Sequence, residues 1–289
     1  MYKLNKIYDF YDNQNMEHSI ILTSPHSGRY YPSEFLKNIN PRIEEIRIYE
    51  DFMVDKLYDF APSLGCKLLI NNIPRIIIDL NRNRNEIDND MFYNFSSTNF
   101  EITKKVKTGI GLFPRYIGLN NIYNRKLNWL TYKSLINTVH KVWHNKLNEE
   151  IYKIKDSFSN VVLLDCHSMP SLDLNGKKIN DIPDFVIGDL FHKSCKKEIV
   201  DFVVNSLKKE GFSVAINKPY AGAYILKKYG KPKKKINAMQ IEIRKDLYCN
   251  EKDLTLNKNY SEVKSILKRL IVNLSNEIKY NTPEQQVAE

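Results

Sequence analysis

Two histidines, His26 and His167, each follow a short apolar run and each precede a serine. Neutral imidazole is a good ligand for Zn²⁺, and a catalytic zinc site usually takes three protein ligands and leaves a position for water. A single histidine is more often a hydrogen-bonded structural residue. Two histidines at the ends of predicted strands favour a metal site instead. We therefore predict that both bind one zinc ion, with a carboxylate or another histidine as the third ligand.

The third ligand is predicted to be Asp51, which follows Glu50 in a predicted helical stretch. Acidic residues are also common near helix starts, where the helix dipole favours them, so charge alone does not identify a ligand. Asp165 is an alternative, because residues two apart on a strand share a face and Asp165 is two residues from His167. From there it would bind the metal or orient His167. The choice among Asp51, Asp165 and Glu50 stays open at this point.

A carboxylate inside an apolar strand is the next candidate. Glu242 lies between Ile241 and Ile243, and a carboxylate in such a run needs a partner or a chemical task. As a general base, it would take a proton from water activated by the metal and pass it to a leaving amine. The alternative is an outward-facing residue on a half-exposed strand.

Polar residues also follow the apolar run that ends at Leu80. Asn81 and Arg82 come next in the chain, and the planar guanidinium of arginine matches a carboxylate. The alternative is an ordinary solvated turn. A second histidine pair, His140 and His144, has the i, i+4 spacing that places both on one helix face, but no Glu follows the first histidine as it does in the HExxH zinc motif.

Short runs rich in Val, Ile and Leu alternate with helical patterns along the chain. The predicted strands are residues 19–24, 66–71, 75–80, 160–165, 184–188, 213–217 and 238–243. The predicted helices are residues 43–60, 124–154 (one long helix or a broken pair), 192–209 and 256–279. This alternation predicts an α/β protein with a mixed or mostly parallel central sheet flanked by helices, in one domain spanning residues 1–289.

The candidate residues lie at or just after the ends of these predicted strands. Parallel strands that end on the same side would bring them together at one edge of the sheet, where α/β folds bind their ligands. Two long irregular stretches, residues 81–110 and 171–183, are predicted to be loops over one edge of the sheet.

The formal net charge of +10 makes nucleic-acid binding an alternative function. However, the basic residues are scattered, and the one dense run, residues 227–235, is typical of a solvated surface. A basic field also attracts a small anionic substrate. We therefore expect a small anionic molecule, and no nucleic acid, as the partner.

The four cysteines are far apart and form no CxxC motif, which argues against a cysteine-rich zinc module or a disulfide scaffold. The N-terminal residues show no apolar signal region, and no stretch approaches the roughly 20 apolar residues of a membrane span. These observations predict a cytoplasmic protein with no membrane partner.

Taken together, these segments resemble the N-formylglutamate amidohydrolase family. The matching pieces run in family order from about residue 20 to about residue 250 and are Pro25-His26-Ser27-Gly28, Glu50-Asp51 with Val54 to Tyr58, Arg75 with Asp79 to Arg82, Asp165 to Met169, Pro183-Asp184 with Gly188-Asp189, Asn217 to Gly222, and Gln240 to Ile243 with Leu247-Tyr248. Each short piece is weak alone, but the ordered set is specific.

The resemblance implies a fold similar to the zinc carboxypeptidases, a three-layer α/β/α arrangement. It implies hydrolysis of the amide bond of an N-formyl or other N-acyl acidic amino acid, or of a short peptide in a related member. Carried over by motif, the ligands of one Zn²⁺ are His26 and His167, and the general base is Glu242. Carboxypeptidases usually have an acidic ligand three residues after the first histidine, where this chain has Arg29, so the third ligand stays assigned to Asp51.

The resemblance also assigns residues that would contact the substrate. Asn81 and Arg82 become the carboxylate clamp, and Arg115 stabilises the oxyanion. Further residues are expected to line the substrate pocket or to bind the substrate: Tyr220, Gly222, His144 and Arg244.

Overall fold

The computed structural model describes residue 4 and residues 6–12, 17–173 and 175–280. Residues 1–3, 5, 13–16, 174 and 281–289 of the predicted domain lie outside the described residues. One mixed sheet of seven strands forms the centre. Its strands are β1 (Tyr8–Tyr11), β2 (Ile20–Ser24), β3 (Lys67–Asn71), β4 (Val161–Met169), β5 (Phe185–Gly188), β6 (Val214–Ile216) and β7 (Ile236–Arg244).

The strand order across the sheet is β1-β3-β2-β4-β7-β5-β6. The four inner strands β3, β2, β4 and β7 are mutually parallel, so their carboxyl ends meet at one edge. β1 runs antiparallel to β3, and β5 runs antiparallel to β7 and parallel to β6. This mixed sheet with helices on its faces confirms the predicted fold class.

Both faces of the inner strands are buried, and each strand contributes alternate residues to two separate hydrophobic clusters. On β4, Leu163 belongs to one cluster and Leu164 to the other. This alternation explains why the strands are continuous apolar runs rather than half-polar ones. The first cluster includes residues of the helices at 129–135, 141–158 and 224–229. The second includes residues of the helices at 54–57, 197–209 and 260–280.

The helices are α1 (Ser33–Leu36), α2 (Ile43–Arg47), α3 (Val54–Leu57), α4 (Lys104–Lys107), α5 (Trp129–Leu135), α6 (Lys141–Phe158), α7 (Lys197–Lys209), α8 (Tyr224–Tyr229) and α9 (Tyr260–Tyr280). A single π-helical turn, Ile136–His140, joins α5 to α6 without a break. Short 3₁₀ turns and three two-stranded ribbons of two-residue strands complete the described fold. None of the helices in the described part of the chain combines the length and apolar character needed to cross a bilayer.

The predicted strand at residues 75–80 is wrong. The backbone turns tightly there, because the N–H groups of Ile77 and Ile78 both donate to the carbonyl of Pro74. The segment is nevertheless fully inside the first cluster, with Ile77 and Leu80 completely buried. A short apolar run indicates burial, but it does not distinguish a strand from a buried turn.

The predicted helix at residues 43–60 is wrong as a single element. It is split into α2 and α3 by residues 48–53, and Met53 adopts a left-handed backbone conformation with φ of 56°. This break turns the chain back toward the sheet and places Asp51 beside the end of β2. Three other helices begin later than predicted, α5 and α7 by five residues each and α9 by four, because turns, bends or short strands precede them.

Candidate metal centre and substrate site

The three predicted metal ligands come together at the carboxyl edge of the parallel strands. His26 follows β2, His167 lies near the end of β4, and Asp51 lies in the break between α2 and α3. The Nδ1 atom of His167 is 2.8 Å from Asp51 Oδ2, and Nδ1 of His26 is 3.5 Å from the same oxygen. Each residue offers one potential ligand atom, and these three atoms all lie within 4.8 Å of one another. No other such group of three or more occurs among the described residues.

Each imidazole is oriented by a carboxylate on its far side. His26 Nε2 is 2.8 Å from Asp79 Oδ1, and His167 Nε2 is 2.9 Å from Asp165 Oδ2. This is the carboxylate–histidine pairing that commonly fixes the tautomer and ring orientation of metal-binding histidines. Asp165 therefore lies behind His167, and Asp51 is the carboxylate between the two rings.

The break that carries Asp51 is held from two directions. The Asp51 N–H donates to the carbonyl of His26, at 3.1 Å. The buried Lys245 Nζ donates to the carbonyl of Ile48, at 2.8 Å. Glu50, the neighbouring acid, points elsewhere, since its carboxylate accepts hydrogen bonds from Tyr31 and Arg47.

The chemistry of this group suits a divalent cation. His26 Nδ1 is buried and has no hydrogen-bond partner, which is costly unless another ligand binds it. Burial alone would lower the pKa of His167, but the charges and hydrogen bonds of Asp165 and Asp51 outweigh it and raise that pKa. The surroundings of this ring thus favour positive charge. Two imidazole nitrogens and one carboxylate oxygen form a donor set that fits catalytic zinc.

The predicted base, Glu242, is next to this group. In the parallel pairing of β7 with β4, Glu242 is the direct partner of His167. Its side chain is buried, and burial raises the pKa of the carboxyl group to about 7. Gln240, two residues earlier on the same face, donates to Glu242 Oε1 at 2.5 Å and limits its orientation.

Arg75 is a residue at the site to which the sequence prediction gave no role. Its Nη2 is 2.9 Å from Asp79 Oδ2, and its Nη1 is 4.0 Å from Asp51 Oδ1. Its charge also acts on Glu242, where it lowers the pKa of the carboxyl group against the effect of burial. The spacing of Arg75 to Asp79, four residues within the matched segment, was the signal that could have identified it.

The Asn81–Arg82 pair lies beside the second histidine. Asn81 Nδ2 is 3.2 Å from Asp165 Oδ2 and 3.3 Å from His167 Nε2. Arg82 donates from Nε to the carbonyl of Ile110 and from Nη1 to that of Asn81. The Arg82 side chain is buried, and no carboxylate forms an ion pair with it in the described part of the chain. A buried cation without an anionic partner is expensive, so this one points to an anionic ligand.

Two arginines predicted to contact the substrate are engaged elsewhere. Arg115 forms an ion pair with Asp88 at 2.7 Å and lies over the ring of Tyr116. Arg244 makes an ion pair with Asp184 at 3.0 Å and another with Asp246 at 2.6 Å. Neither has a described contact with the ligand group, so the oxyanion role of Arg115 and the substrate role of Arg244 stay predictions.

The predicted pocket residues Tyr220 and Gly222 belong to one loop after β6. Tyr220 is partly exposed, and burial raises the pKa of its phenol, with the nearby charges of Glu242 and Asp51 adding to the effect. Gly222 has φ of +102°, and a Cβ there would lie 2.3 Å from the Leu226 side chain. Gly188, at the end of β5, is equally tight, since its Cβ would lie 2.8 Å from the backbone of Ala221.

His144, predicted as a site residue, is buried and does not reach the ligand group directly. Its Nε2 is 3.0 Å from the carbonyl of Leu80, and its Nδ1 is 2.9 Å from the Tyr229 hydroxyl. His140 makes the matching contact one residue beyond Asn81, with Nε2 3.0 Å from the carbonyl of Arg82. The structure thus gives this pair contacts to the loop that carries the predicted clamp.

Comparison with known proteins decides the family. A family model described as N-formylglutamate amidohydrolase matches residues 18–249. The chain belongs to the N-formylglutamate amidohydrolase family. It is 25% identical to the N-formylglutamate deformylase of Pseudomonas putida over 239 residues, which covers 80% of this chain and 82% of that protein. The corresponding deformylase of Pseudomonas aeruginosa is also 25% identical, over 242 residues with the same coverage.

Solved structures agree with the family assignment. The crystal structure of an N-formylglutamate amidohydrolase from Ralstonia eutropha is similar with a TM-score of 0.88 and 29% identity, covering 95% of this chain and 99% of that one. A gene product from Agrobacterium tumefaciens shares the fold with a TM-score of 0.66 at 15% identity. The resemblance found from the ordered motifs is therefore confirmed, as is the class of amidohydrolase at the level of the family.

Proposed function

We propose that this family member hydrolyses the amide bond of a small N-formyl, or other N-acyl, acidic amino acid of the N-formylglutamate type, using one Zn²⁺. The observation that carries the proposal is the meeting of His26, Asp51 and His167 at one point, with a buried glutamate in register beside His167. The names of the Pseudomonas and Ralstonia relatives support the choice of substrate class.

Zinc held by these three residues would supply a Lewis acid that polarises the acyl oxygen and makes water a stronger nucleophile. Asp79 and Asp165 keep the two imidazoles oriented for that ion, since each accepts a hydrogen bond from the Nε2 atom of its histidine, which leaves Nδ1 for the metal.

Glu242 acts on the protons of the reaction. It takes a proton from the attacking water and gives it to the nitrogen of the leaving amino acid. A carboxyl group whose pKa is raised to about 7 is suited to both steps near neutral pH, because it neither holds the proton too tightly nor releases it too early. Gln240 holds the carboxylate while it does so.

Two arginines stabilise negative charge on the substrate. Arg75, which lies 4.0 Å from Asp51 and whose charge acts on Glu242, is the site arginine that stabilises the oxygen that becomes negative during attack. Arg82, buried and without an ion-pair partner among the described residues, binds a substrate carboxylate. Tyr220 covers the pocket from the loop after β6.

The test is turnover of a panel of N-formyl and N-acyl amino acids by protein loaded with zinc, scored by release of the free amine. We expect activity with N-formylglutamate that is lost in His167→Ala. A protein that carried no zinc after purification without chelator, and gained no activity when zinc was added, would contradict the proposal and favour the nucleic-acid-binding alternative.

A further inference from the structure

The backbone carbonyls of Leu80, Asn81 and Arg82 are consecutive, and all three are bound although the segment belongs to no helix or strand. Leu80 O and Arg82 O lie 3.0 Å from the Nε2 atoms of His144 and His140, respectively. The carbonyl between them, that of Asn81, accepts from Arg82 Nη1 at 2.9 Å. The carbonyls of the residues before and after Asn81 are thus held by imidazoles from one helix, and the Asn81 carbonyl between them is held by Arg82.

The helix is shaped for this task. His140 is the last residue of the π-helical turn, and His144 follows one turn later in α6. The two rings lie 4.3 Å apart, centroid to centroid, and both residues are buried. Single π-turns within α-helices are rare and occur frequently at functional sites.

The protonation of the pair follows from its partners. A carbonyl oxygen only accepts, so each Nε2 must carry the proton and donate it. Burial lowers the pKa of His140 to about 4, and burial with the neighbouring His140 and Lys228 charges lowers the pKa of His144 well below its usual value. Both rings are therefore neutral near pH 7. His144 Nδ1 is then an acceptor, and the single proton of the Tyr229 hydroxyl has two acceptors in reach, this nitrogen at 2.9 Å and the His144 carbonyl at 3.0 Å.

We propose that His140 and His144 are positioning residues of this enzyme, which hold the carbonyls on either side of Asn81 and so set where Asn81 and Arg82 meet the substrate. The inference rests on the proposed function, in which Arg82 binds a substrate carboxylate. It assigns no direct contact with substrate or metal to either histidine. Both polar atoms of the Asn81 side-chain amide have partners. Its Oδ1 accepts from the Ile225 N–H at 2.8 Å, and its Nδ2 faces His167.

The experiment compares His144→Leu with His144→Gln, and His140→Leu with His140→Gln. The amide nitrogen of glutamine lies about where Nε2 of histidine lies, so the Gln variants keep a donor for each carbonyl, whereas the Leu variants remove it. Trp143→Phe is the matched control, because Trp143 is a buried neighbour on the same helix whose indole nitrogen has no hydrogen-bond partner. Each variant is measured for kcat and KM with N-formylglutamate, for glutarate binding by calorimetry, and for zinc content and unfolding midpoint.

We expect the Leu variants to keep their zinc. Their KM, and their dissociation constant for glutarate, should rise about 10- to 100-fold, the usual effect of losing a charged hydrogen bond, here that of Arg82 to the ligand carboxylate. Their kcat should change less, and the Gln variants should recover most of the loss. The proposal is overturned if the Leu variants lose only stability, if they resemble Trp143→Phe, or if folded Gln variants recover nothing. Glutarate binding reports on the pair even if N-formylglutamate is not hydrolysed, in which case the proposed function alone fails; a wild-type protein that bound no glutarate would overturn the inference itself.

Discussion

Glu242 and His167 face each other across the parallel pairing of β7 with β4, at the end of the sheet where apolar residues give way to polar ones. One strand pair thereby supplies both the proposed metal ligand and the proposed base. Because both lie on central strands with hydrogen bonds along their length, the distance between them is fixed by the sheet and not by loops.

Replacing the base should separate catalysis from metal binding. Glu242→Gln keeps the size of the side chain and removes its ability to take a proton, so we expect kcat to fall about 10²- to 10⁴-fold. Zinc content, measured by metal analysis, should stay at the wild-type level. Glu251→Gln is the control, since Glu251 binds Ser171 away from the ligand group. Loss of zinc from Glu242→Gln would show that this glutamate is a ligand and not the base.

The carboxylates behind the two histidines should affect metal affinity without touching the ion. Asp79→Asn and Asp165→Asn each weaken the orientation of one imidazole, and we expect zinc affinity to fall about 10- to 100-fold in competition with a chelator. Asp55→Asn is a matched control, because Asp55 is also buried but pairs with Arg29. Unchanged affinity in both test variants would argue against the histidines as ligands through their Nδ1 atoms.

Arg75 and Arg115 are competing candidates for the residue that stabilises the oxyanion, and the two assignments make opposite predictions. Arg75→Met should lower kcat about 10²- to 10³-fold, the cost of losing a group that stabilises an oxyanion. Arg115→Met removes an ion pair with Asp88 and should change kcat little. Steady-state kinetics of the two variants decides between them. The reverse result would restore the sequence-based assignment of Arg115.

Acid stability should depend on a buried ion pair far from the site. Lys67 Nζ is 2.5 Å from Glu150 Oε2, and both side chains are buried. Burial alone would raise the pKa of Glu150, but hydrogen bonds from Lys146 and Lys67 outweigh it and lower the pKa to about 2. A carboxyl group with a lowered folded-state pKa stabilises the fold above its unfolded value of about 4.5, and this contribution is lost as the pH falls toward 2.

We therefore expect Glu150→Gln to lower the free energy of unfolding at pH 7 by about 3 kcal/mol, and by much less at pH 2.5. Urea denaturation at the two pH values measures the difference. Glu149→Gln, next to it on the exposed side of α6, should change stability little at either pH. An equal effect of Glu150→Gln at both pH values would contradict the pKa argument.

Strands β2, β3, β4, β5 and β7 were predictable because they are buried on both faces and read as continuous apolar runs. The same feature explains the error at residues 75–80, where Ile76, Ile77 and Ile78 are buried in a turn and not in a strand. The edge strand β1 is only partly buried and was not predicted. The break at Met53 left no sequence signal, since a left-handed methionine is set by its surroundings and not by its own preference.

The grouping of His26 and His167, with Glu242 in register beside His167, was predictable from their positions at strand ends and from the ordered motifs. The hydrogen-bond partners of those residues could not be predicted from the sequence. Asp79 was singled out only as part of a motif, and its role behind His26 depends on a turn that the sequence does not indicate. Arg115 pairs with Asp88, and Arg244 pairs with Asp184. Both aspartates are distant in the sequence, and no local pattern specifies such ion pairs.

The contact of Gly188 with Ala221 has a consequence for how this enzyme can change its substrate. Main chain lies against main chain there, so the loop after β6 cannot move closer to β5 without displacing the end of that strand. Adaptation to a larger or smaller acyl group would then fall to side chains that project from this frame, and Tyr220 is the pocket residue proposed on that loop. Enzyme engineers seeking new amide substrates should vary that ring first and leave both glycines untouched.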